Sequence, residues 1–141
     1  MSGLSIEQAN TILHERFAPW IVELGFVFEQ IESGRVSVRL PANPRIARTG
    51  GMICGQALMA LADTMMVFAV ASRVGGFVDM ATVGQTASFF RAAAGGDLVC
   101  KARILKMGRT LAFGEAVMAM TDRPDDPVAQ ATMTYALAGP K

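Results

Sequence analysis

The longest apolar stretch of the chain runs from Gly50 to Val74, GGMICGQALMALADTMMVFAVASRV. Between Gly55 and Ser72 it is mostly Ala, Leu and Met, strong helix formers, with no proline inside, which predicts a helix. Its apolar residues surround the axis instead of forming one stripe, and such a helix is either wrapped by protein or spans a membrane. One carboxylate, Asp63, lies in the middle of the segment. A charge at the centre of a bilayer is costly, and the flanks lack basic clusters and aromatic belts. The segment is therefore expected to be a buried core helix.

The flanking patterns predict its covering. Ile6, Ala9, Leu13 and Phe17 have helical spacing, and Ser5 with Gln8 forms a capping-box pattern, so residues 5–16 are expected to form a short helix. Phe17 and Trp20 are expected to anchor it to the body. Phe26 to Ile31 and Arg35 to Leu40 predict a hairpin across Glu32-Ser33-Gly34. Pro41, Asn43 and Pro44 predict a loop to Thr49 without regular structure, placing Arg45 and Arg48 beside the start of the core helix, as solvated charges or as contacts for an anionic ligand tail. After Gly75-Gly76 come four strand-like runs, Thr82 to Phe90, Leu98 to Leu105, Thr110 to Met120 and Val128 to Leu137. Their short connections predict antiparallel neighbours. The outline is α+β: a curved antiparallel sheet wrapped around one long helix, with an N-terminal cover helix. A sheet of this kind keeps an open edge, which favours edge-to-edge dimers.

Composition bounds the function. The 141 residues make a single-domain length (1–141), with 52% hydrophobic and 18% charged residues. This is more apolar surface than a small monomer easily hides, so burial between subunits is expected. A net charge of +1 without a dense Lys/Arg run speaks against nucleic acid or an anionic membrane as main partner. One histidine and two distant cysteines, Cys54 and Cys100, give no metal-ligand cluster. The opening residues lack the layout of a secretory leader, so a cytoplasmic setting with free thiols is expected.

Two features carry candidate chemistry. Gly50, Gly51 and Gly55 bring bare backbone to a helix N-terminus, where N–H groups are unpaired and the dipole is positive, an arrangement suited to an oxyanion. Asp63 is expensive to bury unless paired; it either caps a neighbouring group or faces an apolar pocket with a raised pKa, as base or nucleophile. The two are eight residues apart, ~12 Å along a helix axis, too far to serve one carbonyl. Either one of them is not catalytic, or Gly55 of one subunit works with Asp63 of another across a two-fold axis. A nucleophilic Cys54 lacks a nearby base, and His14 sits far away on the cover helix, which disfavours cysteine catalysis.

The order strand, strand, helix, four strands, with GQALMALADT at 55–64, SFFRAAAGG at 88–96 and KMGRTLAF at 106–113, resembles the hotdog-fold thioesterases, in particular the PaaI-like acyl-CoA thioesterases. The family frame His-Gly-Gly, four residues, Leu-Ala-Asp here reads Cys54-Gly55-Gln56, four residues, Leu61-Ala62-Asp63. The resemblance implies a hotdog fold and hydrolysis of an acyl-CoA, with coenzyme A as part of the substrate and no other cofactor. It implies that the Gly55 N–H polarises the thioester carbonyl and that Asp63 of the partner subunit activates water or attacks directly. It further implies that Thr82 helps place water or substrate, that Cys54 and Gln56 shape the carbonyl pocket, and that Lys106, Gly108 and Arg109 line the pantetheine channel, with Arg91 near the phosphates. A dimer with shared sites, paired further into a tetramer, is also implied. The alternative of a different class is a non-catalytic hotdog module that binds acyl-CoA or an acylated carrier; a plain subunit scaffold is a third.

Overall fold

The computed structural model describes residues 3–138. Its elements are α1 (Ile6–Arg16), α2 (Pro19–Val22), β1 (Val27–Glu32), β2 (Arg35–Leu40), a 3-10 turn (Pro44–Ile46), α3 (Gly55–Val74), β3 (Met80–Phe89), β4 (Leu98–Met107), β5 (Leu111–Met120) and β6 (Ala129–Leu137). The six strands form one antiparallel sheet in the order β1-β2-β4-β5-β6-β3.

The sheet curls around α3, the expected hotdog arrangement. By length and composition α3 is apolar enough to cross a membrane, yet 72% of its most apolar window is buried within the protein. The inward positions of the strands supply this cover: Val36, Val38 and Leu40 on β2, Leu98, Cys100 and Ala102 on β4, Ala129, Ala131 and Met133 on β6. The cover helix closes the other side. Its capping box is formed, with Ser5 Oγ accepting from the Gln8 N–H at 3.0 Å and Gln8 Oε1 accepting from the Ser5 N–H at 2.8 Å. Phe17 stacks on Phe68 of α3 at 5.4 Å. α3 ends at Gly75, whose φ of 89° lets its N–H turn back to the Ala71 carbonyl at 2.8 Å.

Three expectations are corrected. Trp20 is 58% exposed and anchors nothing; Pro19 opens the short α2, which turns Ile21 inward and Trp20 outward. The loop at 41–49 holds a regular turn, because Pro44 sits at a position where no N–H is needed and Asn43 Oδ1 caps the Arg45 N–H at 2.9 Å. The link after β3 is not a hairpin. It crosses beneath the start of α3, with the Ala93 carbonyl accepting from the Ile53 N–H at 2.9 Å, and delivers β4 beside β2. Three strand spacings are ~14 Å, well within reach of an extended link of this length. β3 is thereby left as an open edge with Val83, Phe89 and the adjoining Phe90 exposed.

Two buried contacts fix α3 against its surroundings. Ser72 Oγ accepts from the Gly34 N–H at 2.9 Å and donates to the Ala69 carbonyl at 2.7 Å, tying the β1–β2 turn to the helix. At Gly114 on β5 a side chain is excluded: a Cβ there would stand 2.5 Å from Met66 Sδ and 2.8 Å from the Arg103 carbonyl oxygen. Ser72→Ala leaves a buried N–H unpaired and is expected to lower stability by about 1–3 kcal/mol. Gly114→Ala is expected to cost a similar ~1–3 kcal/mol, since Met66 can shift but the backbone oxygen cannot. Urea unfolding of both variants checks these values; wild-type midpoints would show that the two contacts carry no stability.

Candidate active site

Residues 55, 59 and 63 are one helical face, four residues apart at each step. That face lies along β3, and the two elements run in opposite directions. At one end, a side chain added at Gly55 would meet the Phe89 ring at 3.5 Å. In the middle, Gln85 Nε2 donates to the Met59 carbonyl at 3.1 Å. At the other end, Thr82 Oγ1 donates to Asp63 Oδ1 at 2.8 Å.

Asp63 is half-buried and is not a bare carboxylate in an apolar pocket, as expected from its helix neighbours. Two hydroxyls converge on it. The Tyr135 hydroxyl hydrogen-bonds to the same Oδ1 and also lies 2.6 Å from the Asp63 backbone oxygen. Thr82 and Tyr135 are directly opposed across β3 and β6, which is why both reach one carboxylate. The strand slips register between Thr82 and Gly84, and the extra residue, Val83, points to solvent. Burial, and then the Asp63 hydrogen bond, push the Tyr135 phenol well above its ordinary pKa, so it stays protonated as a donor. Among the described residues Asp63 forms no salt bridge, and no group there engages Oδ2.

The glycine end has complementary chemistry. Cys54 is the N-cap residue with extended backbone, but its side chain makes no capping bond. Among the described residues nothing accepts from the Gly55 or Gln56 N–H, and the first turn carries no acidic side chain. Bare N–H groups at the positive end of a 20-residue helix attract a developing negative charge. Cys54 and Gly55 are half-buried and Gln56 is exposed.

The remaining candidates separate. The row Met107, Ala112, Tyr135, Thr82 crosses four strands side by side, so Lys106, Gly108 and Arg109 lie at the Asp63 end of the sheet. Lys106 and Arg109 are exposed, and the Gly108 N–H donates to the Leu111 carbonyl at 2.8 Å to close the β4–β5 turn. Arg91 is on the crossover link and pairs with Asp126. The protomer thus brings Asp63 and Thr82 together and leaves Cys54, Gly55 and Gln56 two helical turns away. Met66 and Phe68 are fully buried core, whereas Met59, Phe89 and Phe90 are exposed on the β3 side. Cys100 is buried and its thiol is pushed up to about 12, which leaves it inert. A groove of about 490 Å³ on the outer face of the sheet, lined by Arg35, Lys101, Arg103 and Glu115, is remote from both ends of this arrangement.

Tyr135 falls within the predicted strand Val128 to Leu137 and was not among the candidate residues. Its signal was available nonetheless: it is the single tyrosine, and a phenol on a buried face needs a partner.

Comparison with known proteins agrees with this fold. Solved structures include a candidate thioesterase from Silicibacter sp. TM1040, 31% identical over 98% of this chain and 94% of its own, TM-score 0.82. A conserved protein from Pseudomonas aeruginosa is 28% identical over 89% and 98%, TM-score 0.79. A hypothetical thioesterase from Streptococcus pneumoniae, solved with coenzyme A, shares the fold at 20% identity over 85% and 92%, TM-score 0.76. No curated protein sequence matches the chain. The sequence profile of the thioesterase superfamily matches residues 50–122, which span α3 with both ends of the site and β3 to β5. The chain belongs to the thioesterase superfamily, whose chemistry is thioester hydrolysis.

Proposed function

We propose that the protein hydrolyses acyl-CoA thioesters at sites shared between two subunits. The observation that carries this reading is the separation of unpaired N–H groups at Gly55 from the hydroxyl-held carboxylate of Asp63 along one helix face beside an open sheet edge. Antiparallel pairing of two β3 edges about a two-fold axis near Gln85 or Thr86 brings each Asp63 end toward the partner subunit's Gly55. The thioester oxygen then accepts from the Gly55 N–H, with Gln56 and Cys54 shaping the surrounding pocket. Asp63 Oδ2 either removes a proton from water as it attacks the carbonyl carbon, or attacks that carbon itself. In both cases the carbonyl oxygen gains the negative charge that the helix terminus stabilises. Collapse of the tetrahedral intermediate breaks the C–S bond and releases the coenzyme A thiolate; in the second case water then cleaves the acyl-aspartate.

Lys106, Gly108 and Arg109 of the β4–β5 turn line the pantetheine channel in this reading, and Arg91 is a phosphate contact if it exchanges its Asp126 partner. The neighbour from Streptococcus pneumoniae, with its coenzyme A, supports this class of ligand. Exposed Leu105, Leu111, Phe113 and Val117 offer a second apolar surface by which dimers pair into a tetramer.

Wild type is expected to release free thiol from one or more members of an acyl-CoA panel, and Asp63→Asn to lower kcat by about 10²–10⁴. Binding without thiol release by wild type would establish the non-catalytic module instead. The shared site has its own test. Gly55→Pro removes the N–H at a helix position that accepts proline, after a Cys54 already at φ −70°, ψ 149°, and is expected to lower kcat by about 10²–10³. Co-expressed Gly55→Pro and Asp63→Asn chains form mixed dimers with one intact site, regaining roughly a quarter of wild-type activity when pairing is random. No recovery in isolated mixed dimers would place the whole site within one subunit.

A further inference from the structure

We propose that Tyr135 is a positioning residue that fixes Asp63 so that a single carboxylate oxygen, Oδ2, faces the reacting group. This inference rests on the function proposed for Asp63. Tyr135 is 2% exposed, its ring packed in the inward row of β6 with Ala131 and Met133. Phenylalanine would fill the same space, so packing alone does not account for the hydroxyl. A buried hydroxyl without a partner costs free energy, and this one hydrogen-bonds to Asp63 and lies against the Thr82 hydroxyl. It sits against both the backbone oxygen and the Oδ1 of the same residue. Contact at two points of one residue restrains rotation about the bonds between them, which a single contact at the carboxylate would not. The second hydroxyl, Thr82 Oγ1, is delivered by the opposing strand to the same Oδ1 at 2.8 Å. Both hydroxyls therefore converge on one carboxylate oxygen, and among the described residues no group engages the other.

The electrostatic setting agrees. A carboxylate accepts hydrogen bonds, and a phenol held protonated by its burial donates them. Without it, the half-buried Asp63 side chain has free rotamers toward the open edge beyond β3, and fewer of its conformers place an oxygen for in-line attack or proton removal.

The test is Tyr135→Phe, measured alone and in the Asp63→Asn background with the best substrate of the acyl-CoA panel. The single variant is expected to lower kcat by about 10–10²-fold with KM within about twofold of wild type. In the Asp63→Asn background the same change is expected to have no further effect, because the group it positions is gone. Thr82→Val, which removes the other donor to Oδ1, is expected to show the same pattern and serves if Tyr135→Phe folds poorly. Wild-type kcat in Tyr135→Phe, with Asp63→Asn inactive, overturns the inference and leaves the hydrolase reading standing. An equal loss in both backgrounds also overturns it, as a packing effect. If Asp63→Asn retains full activity, the hydrolase reading of Asp63 fails; the crystal structure of Tyr135→Phe then decides the remaining point, since an Asp63 carboxylate in its original rotamer overturns the positioning role and a displaced one supports it.

Discussion

A helix with no polar face has to be covered on every side, and one flat sheet covers only one. This constraint shapes the whole molecule. The sheet curls until β2, β4, β5 and β6 all present inward residues to α3, and α1 with Phe17 closes the gap that remains. Burying a large aliphatic side chain contributes ~1.5–3 kcal/mol, and α3 buries many of them, so its wrapping dominates the favourable side of folding. The polar groups that enter with it are each answered: Ser72 by Gly34 and Ala69, Thr64 by the Ala60 carbonyl, Asp63 by Thr82 and Tyr135.

The same wrapping explains where the chemistry sits. Residues facing β4 and β5 are sealed, and in the middle of α3 the residues that are not buried, Met59, Ala60 and Asp63, lie on or beside the face along the edge strand. That face carries the bare amides at one end and the carboxylate at the other. An edge strand is ordinarily a hazard, because its unpaired backbone recruits other chains. Here the hazard and the candidate site coincide, and in the dimer proposed above the pairing that protects the edge would also complete the constellation.

Much of this was legible from local pattern. The helix that starts at Gly55, the capping box of α1 and the order along the chain of the strands around the helix follow from residue type and spacing, as does the choice of Gly55 and Asp63 as candidates. What escaped depends on contacts between distant segments. The position of β3 beside β6 is a non-local pairing that short links do not encode, and reading the crossover as a hairpin followed from its length alone. Trp20 was misplaced because residue size suggested burial, while Pro19 set the direction of the turn. Tyr135 was missed because its partner lies 72 residues away.

A smooth apolar sheath holds a helix firmly but does not by itself say where along its axis the helix should rest. Dispersion forces are nearly indifferent to a slide of one residue, ~1.5 Å, if methyl groups meet methyl groups before and after. The notch at Gly114 removes that indifference. Met66 seats its sulfur where a side chain would otherwise stand, one turn beyond Asp63, and acts as a detent for both rotation and translation. A slip that left every core residue buried would still unseat Met66, and with it move the carboxylate off the two hydroxyls that receive it. The smallest residue of β5 thus sets the alignment of a catalytic candidate on another element.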